Sequence, residues 1–266
     1  MYSKSKKLKI SVCIATYNGE KYILKQLMSI LSQLKLDDEV IISDDGSNDR
    51  TKEIIRSLND SRIILIDNIY KKGYTNNFLN ALEKASGDII FISDQDDIWV
   101  NNKVEYCLNL LCDSFFVVSN AIVIDSEENI INNSFFSISK PFKSRLGNLY
   151  RFSYLGCCMC FRKEVLELAI PFPKNQKLCT HDNWLFLIGI FYFKIKITNV
   201  PLVLYRRHGN NTSSGAEQIK KRNSLYFMLK YRVYLIIHLM DVFVFKYLSI
   251  KILGRKSLVF TKKIKS

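Results

Sequence analysis

The sequence predicts an α/β fold in which helices cover both faces of a mostly parallel central sheet. Over the first 100 residues, short apolar runs alternate with helical patterns, and polar loops follow the runs. Because the runs are apolar on both faces, they are typical of buried parallel strands. With 266 residues, 48% of them hydrophobic, the chain is long enough to bury a large core. This composition excludes a disordered, collagen-like or low-complexity protein.

The first predicted unit is a strand from Ile10 to Ala15, a polar turn and a helical pattern from Ile23 to Leu34. The unit recurs along the first 100 residues. Its later strands are predicted at Glu39 to Ser43, Arg62 to Asp67 and Ile89 to Ser93, and its later helices at Thr51 to Leu58, with Asp49 as N-cap, and Thr75 to Ala85. After residue 100 we predict strands at Phe115 to Ile124 and Leu155 to Phe161, and helices at Lys103 to Leu111, Lys163 to Ala169 and Asp182 to Phe193.

The formal charge of +14 is concentrated near the C-terminus. Residues 218–266 hold 12 of the 39 bases and one of the 25 acids, so residues 1–217 carry only +3. A nucleic-acid-binding protein would use such a tail, but the chain has no recognised nucleic-acid-binding motif and the rest of it is nearly balanced. We therefore expect no nucleic-acid partner.

The N-terminal apolar run is too short for a signal peptide, so we expect a cytoplasmic protein. The seven cysteines include no C-x-x-C pair, and most lie in apolar stretches, which predicts reduced, packed thiols. Cys157, Cys158 and Cys160 offer a metal-ligand alternative, but no second Cys/His pair at zinc spacing accompanies them.

Three polar loops follow strands whose carboxyl ends meet at one edge of the predicted sheet, where such folds bind ligands. They span residues 16–19, 44–47 and 94–97. In the last loop, Asp94 and Asp96 repel each other unless a cation lies between them. Oxygen ligands favour Mg²⁺ or Mn²⁺, with substrate phosphates completing the shell, so this pair predicts a diphosphate ligand. A solvated acidic turn is the alternative.

Three motifs together resemble the inverting glycosyltransferases of family 2, which have the GT-A fold. The motifs are SVCIATYNGEKYILKQLMSIL, EVIISDDGSNDRT and GDIIFISDQDDIW. Their order and spacing make the resemblance specific, and it covers about the first 210 residues. It implies a Rossmann-like GT-A catalytic domain at 1–217, with a nucleotide-sugar lobe at 1–100 and an acceptor lobe at 101–217. A basic, amphipathic helical tail follows at 218–266.

The resemblance also implies roles for single residues. In the family, the first loop and the D-D-G-S loop hold the nucleotide base and ribose. By position, these residues are Thr16, Tyr17, Asp44 and Asp45. The D-x-D pair, which binds the metal and the donor diphosphate, falls on Asp94 and Asp96. For Asp44 and Asp45, ordinary loop chemistry is the alternative, and Asp45 is the stronger candidate for a functional role.

Asp182 is the predicted catalytic base. It lies in Thr180 to Trp184, a polar cluster that opens an apolar helix, and the family places its general base in a similar acidic sequence with a Trp. An inverting transfer needs a carboxylate to take the proton of the acceptor hydroxyl. A helix cap is the alternative role for Asp182. The family's double-acid variants have Glu or Asp where this chain has His181, whose role stays open.

The segment Tyr205 to Ser213 resembles the part of the family that closes over the donor, and its Gly, Asn and Ser content suits a lid. His208 is predicted to complete the metal shell, and Arg206 or Arg207 to meet phosphate. Ordinary surface roles are the alternatives for all three.

Three residues of the second half are candidates for the acceptor cleft. Gly156 and Cys158 are predicted to line the cleft. Trp184 is predicted either to stack on a sugar ring or to pack in the core.

The predicted function is metal-dependent, inverting transfer of a hexose or deoxyhexose from a nucleotide-diphosphate sugar to a glycan hydroxyl, using Mn²⁺ or Mg²⁺. The resemblance points to bacterial surface polysaccharide synthesis, such as capsule or O-antigen, with a polyprenyl-diphosphate-linked acceptor. The segments HDNW and YRRHGNN favour rhamnosyl or glucosyl transfer. The alternative is a catalytically inactive nucleotide-sugar-binding protein at the membrane surface. A nucleotidyltransferase is disfavoured because no Gly-rich phosphate loop follows Ala15.

Charged residues interrupt the apolar segment from Ser224 to Leu253 too often for a membrane span. Basic residues on an apolar helix instead suit a helix that lies in the headgroup layer of an anionic membrane. The tail bases that would attract anionic lipid are Arg255, Lys256, Lys262, Lys263 and Lys265. This predicts a peripheral protein on the inner face of the cell membrane. The alternatives are packing on the catalytic domain or pairing with a second copy.

Overall fold

The structure is a computed structural model that describes residues 8–208 and 225–248. The strands are β1 (Ile10–Thr16), β2 (Glu39–Asp44), β3 (Ile63–Asp67), β4 (Ile89–Asp94), β5 (Ile98–Trp99), β6 (Phe116–Ile124), β7 (Ile130–Asn132), β8 (Met159–Arg162) and β9 (Ile195–Arg206). The helices are α1 (Ile23–Leu31), α2 (Thr51–Ser57), α3 (Tyr74–Leu82), α4 (Lys103–Leu111), α5 (Phe135–Ser139), α6 (Arg145–Tyr150), α7 (Lys163–Ala169), α8 (His181–Tyr192) and α9 (Leu225–Val242). A 3₁₀ turn (Gly156–Cys158) precedes β8, and a π-helical turn (Phe243–Tyr247) follows α9.

The strands form one sheet in the order β3-β2-β1-β4-β8-β6-β9-β5, with β7 paired to β6. Neighbouring strands among β1 to β4 are parallel, as are β6 and β9, whereas β8 runs antiparallel between β4 and β6. The mostly parallel sheet flanked by helices confirms the predicted fold class. Because β1, β2 and β4 are parallel neighbours, their carboxyl ends lie at the same edge of the sheet.

Both faces of the sheet are buried. On one face, Val12 and Ile14 of β1 pack in a core that includes Ile23 and Leu27 of α1. On the other face, Cys13 packs in a core that includes Phe78 of α3. Side chains of a strand alternate between its two faces, so a run that is apolar at every position needs a helix on each side.

The structure corrects several predicted boundaries. Helix α1 ends at Leu31 instead of Leu34. The strand predicted from Leu155 begins at Met159, because the residues before it form the 3₁₀ turn. Helix α3 ends at Leu82 instead of Ala85. The N-cap position of α2 is Arg50, although the Asp49 carboxylate one residue earlier accepts a hydrogen bond from the Thr51 N–H at 3.0 Å.

Several elements of the second half were not predicted. They are β5, β7, α5, α6 and the first half of β9. Three of them are five residues or shorter, and a full helical or strand period does not fit in so few residues. The polar segment at the start of β9 becomes a strand because it pairs with β6.

Helix α9 packs against α8. Its residues Leu235, Leu239 and Val242 are buried in the same core as α8, and the Tyr192 hydroxyl donates to the Leu239 carbonyl at 2.5 Å. No helix within residues 8–208 and 225–248 is long and apolar enough to cross a bilayer. The predicted lipid-attracting bases of the tail lie outside the described residues, and the boundary at 217/218 stays a prediction.

All seven cysteines are free thiols, and all but Cys112 are buried. This agrees with the predicted reduced, packed state. Burial raises the pKa of the Cys13 and Cys179 thiols, which keeps both protonated and unreactive.

Candidate active site

Thr16, Asp44 and Asp94 lie at the carboxyl ends of three adjacent strands. The register pairs Thr16 of β1 with Asp44 of β2, and Ala15 of β1 with Asp94 of β4. The sheet therefore brings together the three loops that the sequence singled out. In parallel sheets this edge is the usual ligand-binding position.

The first loop is tied to the acidic loop by one side chain, that of Gln95. Its Oε1 accepts hydrogen bonds from the Thr16 hydroxyl at 2.6 Å and the Tyr17 N–H at 2.9 Å, and its Nε2 donates to the Tyr17 carbonyl at 3.0 Å. Thr16 is buried, and its hydroxyl bonds to Gln95 within the protein. Tyr17, in contrast, is 48% exposed to solvent. Of these two predicted nucleotide contacts, Tyr17 has the surface that a base needs for stacking.

Asp44 organises its own loop. Its Oδ1 accepts from the N–H groups of Gly46 and Ser47, at 3.1 and 2.8 Å, and its Oδ2 accepts from the Ser47 hydroxyl at 2.5 Å. Gly46 has a φ of +85°, which a residue with a Cβ rarely adopts. The turn thus needs both Asp44 and Gly46. The buried Asp44 side chain stabilises its own loop, which is the alternative role that the sequence offered beside nucleotide binding.

Asp45 links the second loop to the start of α3. Its Oδ1 accepts from Asn68 Nδ2 at 2.7 Å, and its Oδ2 accepts from the Gly73 N–H at 2.8 Å. Lys72, which precedes Gly73, lies with its Nζ 5.8 Å from the centroid of the Tyr17 ring. A cation and an exposed aromatic ring therefore lie side by side near the carboxyl edge of the sheet.

Four carboxylates influence one another at the centre of the site, those of Asp94, Asp96, Asp97 and Asp182. Burial, with the charges of Asp97, Asp96 and Asp182, raises the pKa of Asp94 well above its ordinary value. Burial and the charge of Asp96 raise the pKa of Asp97 to about 8. Among the described residues, Asp97 Oδ2 is buried without a hydrogen-bond partner. Such a concentration of like charge is the environment that a divalent cation neutralises.

The predicted metal ligands fall into two adjacent groups. Asp94 lies with Asp97 and Cys157, with one ligand atom of each within 4.8 Å of the others. Asp96 instead contacts His208, whose Nε2 lies 2.9 Å from Asp96 Oδ2. The oxygen donors of both groups suit Mg²⁺ or Mn²⁺, whereas the Cys157 thiol is a soft ligand that these ions do not favour. The carboxylates of Asp94 and Asp97 therefore fit the predicted cation, whereas Asp96 as its ligand stays a prediction.

Arg206 holds the acidic loop in place. Its Nε donates to the Asp96 carbonyl at 2.8 Å, its backbone N–H donates to Asp97 Oδ1 at 2.9 Å, and its Nη2 pairs with Glu128 at 3.1 Å. The guanidinium also covers the ring of Tyr22 at 4.7 Å, and that ring stacks on His208 at 5.1 Å. This buried arginine thus supports the loop from behind, instead of facing solvent as a lid residue would.

The predicted lid begins later than expected. Tyr205 and Arg206 are the last residues of β9 and are buried, so only Arg207 and His208 of the predicted segment are described residues that follow the strand. Residues 209–213 lie outside the described residues.

Asp182 lies in the first turn of α8, where hydrogen bonds hold one of its carboxylate oxygens and the other lies close to Gly156. Its Oδ1 accepts from the Thr180 hydroxyl at 2.5 Å and the Asn183 N–H at 2.8 Å. Its Oδ2 lies 3.6 Å from the point where a Cβ on Gly156 would stand. The N-cap residue of α8 is Thr180, so Asp182 does not occupy the cap position, and its role as catalytic base stays a prediction.

Trp184 belongs to the core. Its side chain is 1% exposed, and its Nε1 donates to the Ala169 carbonyl at 2.9 Å. Cys158 is likewise buried beneath the site. Of the two roles that the sequence left open for Trp184, the structure supports packing.

Sequence reasoning missed Gln95 and Asp97 as site residues, and it predicted a phosphate contact for Arg206 or Arg207 instead of the hydrogen bonds by which Arg206 holds the acidic loop. Asp97 adjoins the predicted pair, and its position after a buried strand was the same signal that selected Asp94 and Asp96. Arg206 gave no local signal, because its partners lie about 80 to 110 positions away along the chain.

A sequence model described as "Glycosyl transferase family 2" matches residues 11–168. The chain is 31% identical over 222 residues to UDP-Glc:alpha-D-GlcNAc-diphosphoundecaprenol beta-1,3-glucosyltransferase WfaP of Escherichia coli, covering 81% of this chain and 85% of WfaP. It is 31% identical over 217 residues to dTDP-rhamnosyl transferase RfbG of Shigella flexneri, covering 74% and 72% of the two chains. Among solved structures, S. aureus TarS 1-349 in complex with UDP-GlcNAc superposes with a TM-score of 0.65 at 19% identity, covering 97% of this chain and 76% of the TarS chain.

Proposed function

Because the chain belongs to glycosyl transferase family 2, we propose that it transfers a sugar, with inversion, from a nucleotide-diphosphate sugar to a hydroxyl of a glycan acceptor. The observation that carries this proposal is the cluster of four interacting carboxylates at the carboxyl edge of the sheet. Three of them, Asp94, Asp96 and Asp97, suit a cation and a diphosphate. The fourth, Asp182, has one oxygen held by two hydrogen bonds, and its charge acts on Asp94.

In the proposed reaction, Asp182 takes the proton of the attacking acceptor hydroxyl through Oδ2. The contacts of Oδ1 with Thr180 and Asn183 fix the orientation of the carboxylate, so Oδ2 meets the hydroxyl without a rotation of the side chain. Asp94 and Asp96, with His208, are the proposed ligands of Mn²⁺ or Mg²⁺. When bound, such an ion supplies charge neutralisation at the departing diphosphate.

The nucleotide of the donor is proposed to lie on the loops after β1 and β2. Tyr17 offers an exposed ring for the base, and Asp45 with Lys72 adjoins it. Thr16 and Asp44 stabilise the two loops through their hydrogen bonds to Gln95 and Ser47.

The acceptor is proposed to be a polyprenyl-diphosphate-linked glycan of a bacterial surface polysaccharide. The support is the similarity to WfaP, whose name states a diphosphoundecaprenol-linked GlcNAc acceptor. The names of WfaP and RfbG support UDP-glucose and dTDP-rhamnose as the first donors to test. A lipid-linked acceptor also supports the proposal that the protein works at the inner face of the cell membrane, with α9 and the basic tail at the lipid surface.

Calorimetry and a transfer assay on the same variants test the proposal. We expect the wild type to bind either UDP or dTDP, with GDP as a third probe, in Mn²⁺ and to lose this binding in chelator. Asp96→Asn should lose metal-dependent binding, whereas Asp182→Asn should keep nucleotide affinity within about twofold and lose about a thousandfold in transfer rate, as loss of a general base and its orientation implies. Asp113→Asn, an exposed acid paired with Lys194 and Lys196, is the matched control and should change neither property.

Two results would contradict the proposal. Failure of a folded wild type to bind any of the three nucleotides would remove the donor site. Metal-dependent nucleotide binding without transfer of either sugar to a GlcNAc-diphosphate lipid would instead favour a nucleotide-sugar-binding protein without catalytic activity. Transfer that Asp182→Asn leaves unchanged would contradict the role of Asp182 as the base.

A further inference from the structure

An apolar groove with a volume of about 1040 Å³ is lined by residues of α6, the end of α8 and α9; we call it the α9 groove. Ile236, Met240 and Phe243 line it at helical spacings of three and four, and Leu149 of α6 and Phe191 of α8 line it as well. The first three side chains are 47%, 54% and 39% exposed. The groove therefore opens to solvent along α9, and a ligand can reach it from outside.

The size and lining of the α9 groove suit the hydrocarbon chain of a small ligand. Pockets that bind small ligands have volumes of roughly 300–1,000 Å³ and are lined mainly by apolar and aromatic side chains, with a few polar groups. The Tyr192 hydroxyl at the groove donates to the Leu239 carbonyl at 2.5 Å, so its proton is already used within the protein. A hydrocarbon chain needs no hydrogen-bond partner, and therefore fits these walls better than a polar ligand does.

The charged residues that line the α9 groove are both basic. They are Arg145 and Lys194. Lys194 pairs with Asp113 at 3.2 Å. Arg145 donates from Nε to the Ile190 carbonyl at 2.9 Å, and its two Nη groups have no hydrogen-bond partner among the described residues. Because guanidinium N–H groups match the geometry of phosphate oxygens, Arg145 gives the apolar groove a binding partner for a phosphate.

An anionic phospholipid combines the hydrocarbon chain and the phosphate that the groove suits. Beside the groove, Val233 and Ile237 of α9 are exposed apolar residues. Residues 218–266 hold 12 bases and one acid. A helix of this kind lies in the headgroup layer of an anionic membrane, where acyl chains are within reach of the groove.

We propose that the α9 groove binds one acyl chain of an anionic phospholipid, and that Arg145 binds the phosphate of this lipid. The site does not depend on sugar transfer. It differs from a general attraction of the basic tail to a membrane, because it requires a chain in the groove and one particular arginine. The test therefore uses single lipid molecules in place of vesicles.

Titration calorimetry of the full chain measures binding of lipids below their critical micelle concentrations. The probes are decanoyl- and octanoyl-lysophosphatidylglycerol, which differ by two CH₂ groups, and monodecanoyl glycerol, which lacks the phosphate. Ile236→Trp and Met240→Trp fill the groove from half-exposed positions. Ile237→Trp is the matched control, since this neighbour is 52% exposed but does not line the groove. Arg145→Gln removes the phosphate partner, and Lys143→Gln removes an exposed charge two residues away. Thermal unfolding checks that every variant is folded.

We expect the wild type to bind the decanoyl lipid about tenfold more tightly than the octanoyl lipid, because two further CH₂ groups leave water. Ile236→Trp and Met240→Trp should each weaken binding of the decanoyl lipid about tenfold, and Ile237→Trp should change it less than about twofold. Arg145→Gln should weaken it about threefold to fivefold, as loss of an exposed ion pair implies, and leave binding of monodecanoyl glycerol unchanged. Lys143→Gln should change neither affinity.

Several results would overturn the proposal. Equal weakening by Ile236→Trp and Ile237→Trp would mean that the lipid binds exposed apolar surface of α9 instead of the groove. Equal effects of Arg145→Gln and Lys143→Gln would remove the phosphate contact. Binding of geranyl phosphate at least about tenfold more tightly than the decanoyl lipid would assign the groove to a polyprenyl chain.

A folded wild type that binds none of the lipids would also overturn the proposal. A concentration-dependent dimer that Ile236→Trp disrupts and Ile237→Trp does not would then assign the groove to a second copy. Lipid binding that appears only after removal of residues 249–266 would assign the groove to that segment of the chain.

Discussion

Asp97 is a buried carboxyl group whose pKa is strongly raised by its surroundings in the site. Its side chain is 1% exposed, one of its oxygens accepts from the Arg206 N–H, and the other has no partner among the described residues. Burial raises its pKa from 3.8 to about 8. In the folded protein Asp97 therefore holds a proton at pH values at which the unfolded chain has already released it.

This shift predicts how stability depends on pH in the absence of metal. Because the folded state binds the proton more tightly, the stabilisation is complete below the ordinary pKa of 3.8 and is lost as the pH rises towards about 8. In chelator, the melting temperature of the wild type should fall between pH 5 and pH 8, and Asp97→Asn should fall less. For a chain of this size, each kcal/mol corresponds to roughly 2–4 °C.

The control for this prediction is Asp113→Asn, since the ion pairs of Asp113 with Lys196 and Lys194 lower the pKa of that exposed carboxyl. It should leave the fall between pH 5 and pH 8 unchanged. Adding Mn²⁺ should raise the melting temperature of the wild type more at pH 8 than at pH 5, because the ion binds the ionised carboxylates. Parallel pH profiles for the wild type and Asp97→Asn would contradict the assigned pKa.

At the scale of elements, the sequence predicts strands, helices and loops from local patterns, but it does not predict contacts between residues that are far apart along the chain. Strands β1, β2 and β4 each contain a short apolar run that leads into a polar loop, so both the strands and the acidic loop were predictable. The hydrogen bonds from Arg206 to the acidic loop, and the proximity of Gly156 to Asp182, depend on the pairing of β6 with β9 and of β4 with β8. No short pattern in the sequence encodes these pairings.

Helix α9 shows the same limit. Its apolar residues were evident in the sequence, but packing on the catalytic domain, membrane contact and pairing with a second copy were all open. The structure buries Leu235 and Leu239 in the core that contains α8, and Asn183 Nδ2 of α8 donates to the Tyr231 hydroxyl at 2.8 Å. Helix α9 is thereby part of the packed core.

The packing of α9 predicts unequal effects of truncating two neighbouring apolar residues. Leu235 is fully buried, so Leu235→Ala should lower the free energy of unfolding by about 2–5 kcal/mol. Ile237, which is 52% exposed on the opposite side of the helix, is the matched control, and Ile237→Ala should cost less than about 1 kcal/mol. Chemical denaturation of the full chain measures both. Equal, small effects would mean that α9 does not pack on the acceptor lobe.

At the scale of the whole molecule, the C-terminal part of the chain combines an excess of basic residues with an exposed apolar helix face. The face of α9 opposite Leu235 and Leu239 is apolar and exposed, whereas a helix facing water is normally polar there. The exposed residues of this outer face, at helical spacings of three and four, are Tyr226, Leu229, Val233, Ile237, Met240 and Val244. Residues 218–266 add 12 bases and one acid to the same end. Apolar side chains beside bases are what an anionic lipid surface attracts.

Liposome flotation tests the proposed membrane contact. We expect the full chain to float with vesicles of phosphatidylcholine and phosphatidylglycerol, less so with phosphatidylcholine alone, and less so at high salt, because the bases interact with anionic headgroups. The double substitution Ile237→Glu and Met240→Glu should reduce the bound fraction at least about fivefold, since it places two charges at the apolar boundary. Leu36→Glu with Ile69→Glu, at positions that are 84% and 74% exposed on the nucleotide-sugar lobe, adds the same charge elsewhere and should leave flotation nearly unchanged. Equal losses in both double variants would mean that binding depends on net charge alone. If the wild type does not float but forms a concentration-dependent dimer, and only Ile237→Glu with Met240→Glu disrupts that dimer, then the outer face binds a second copy.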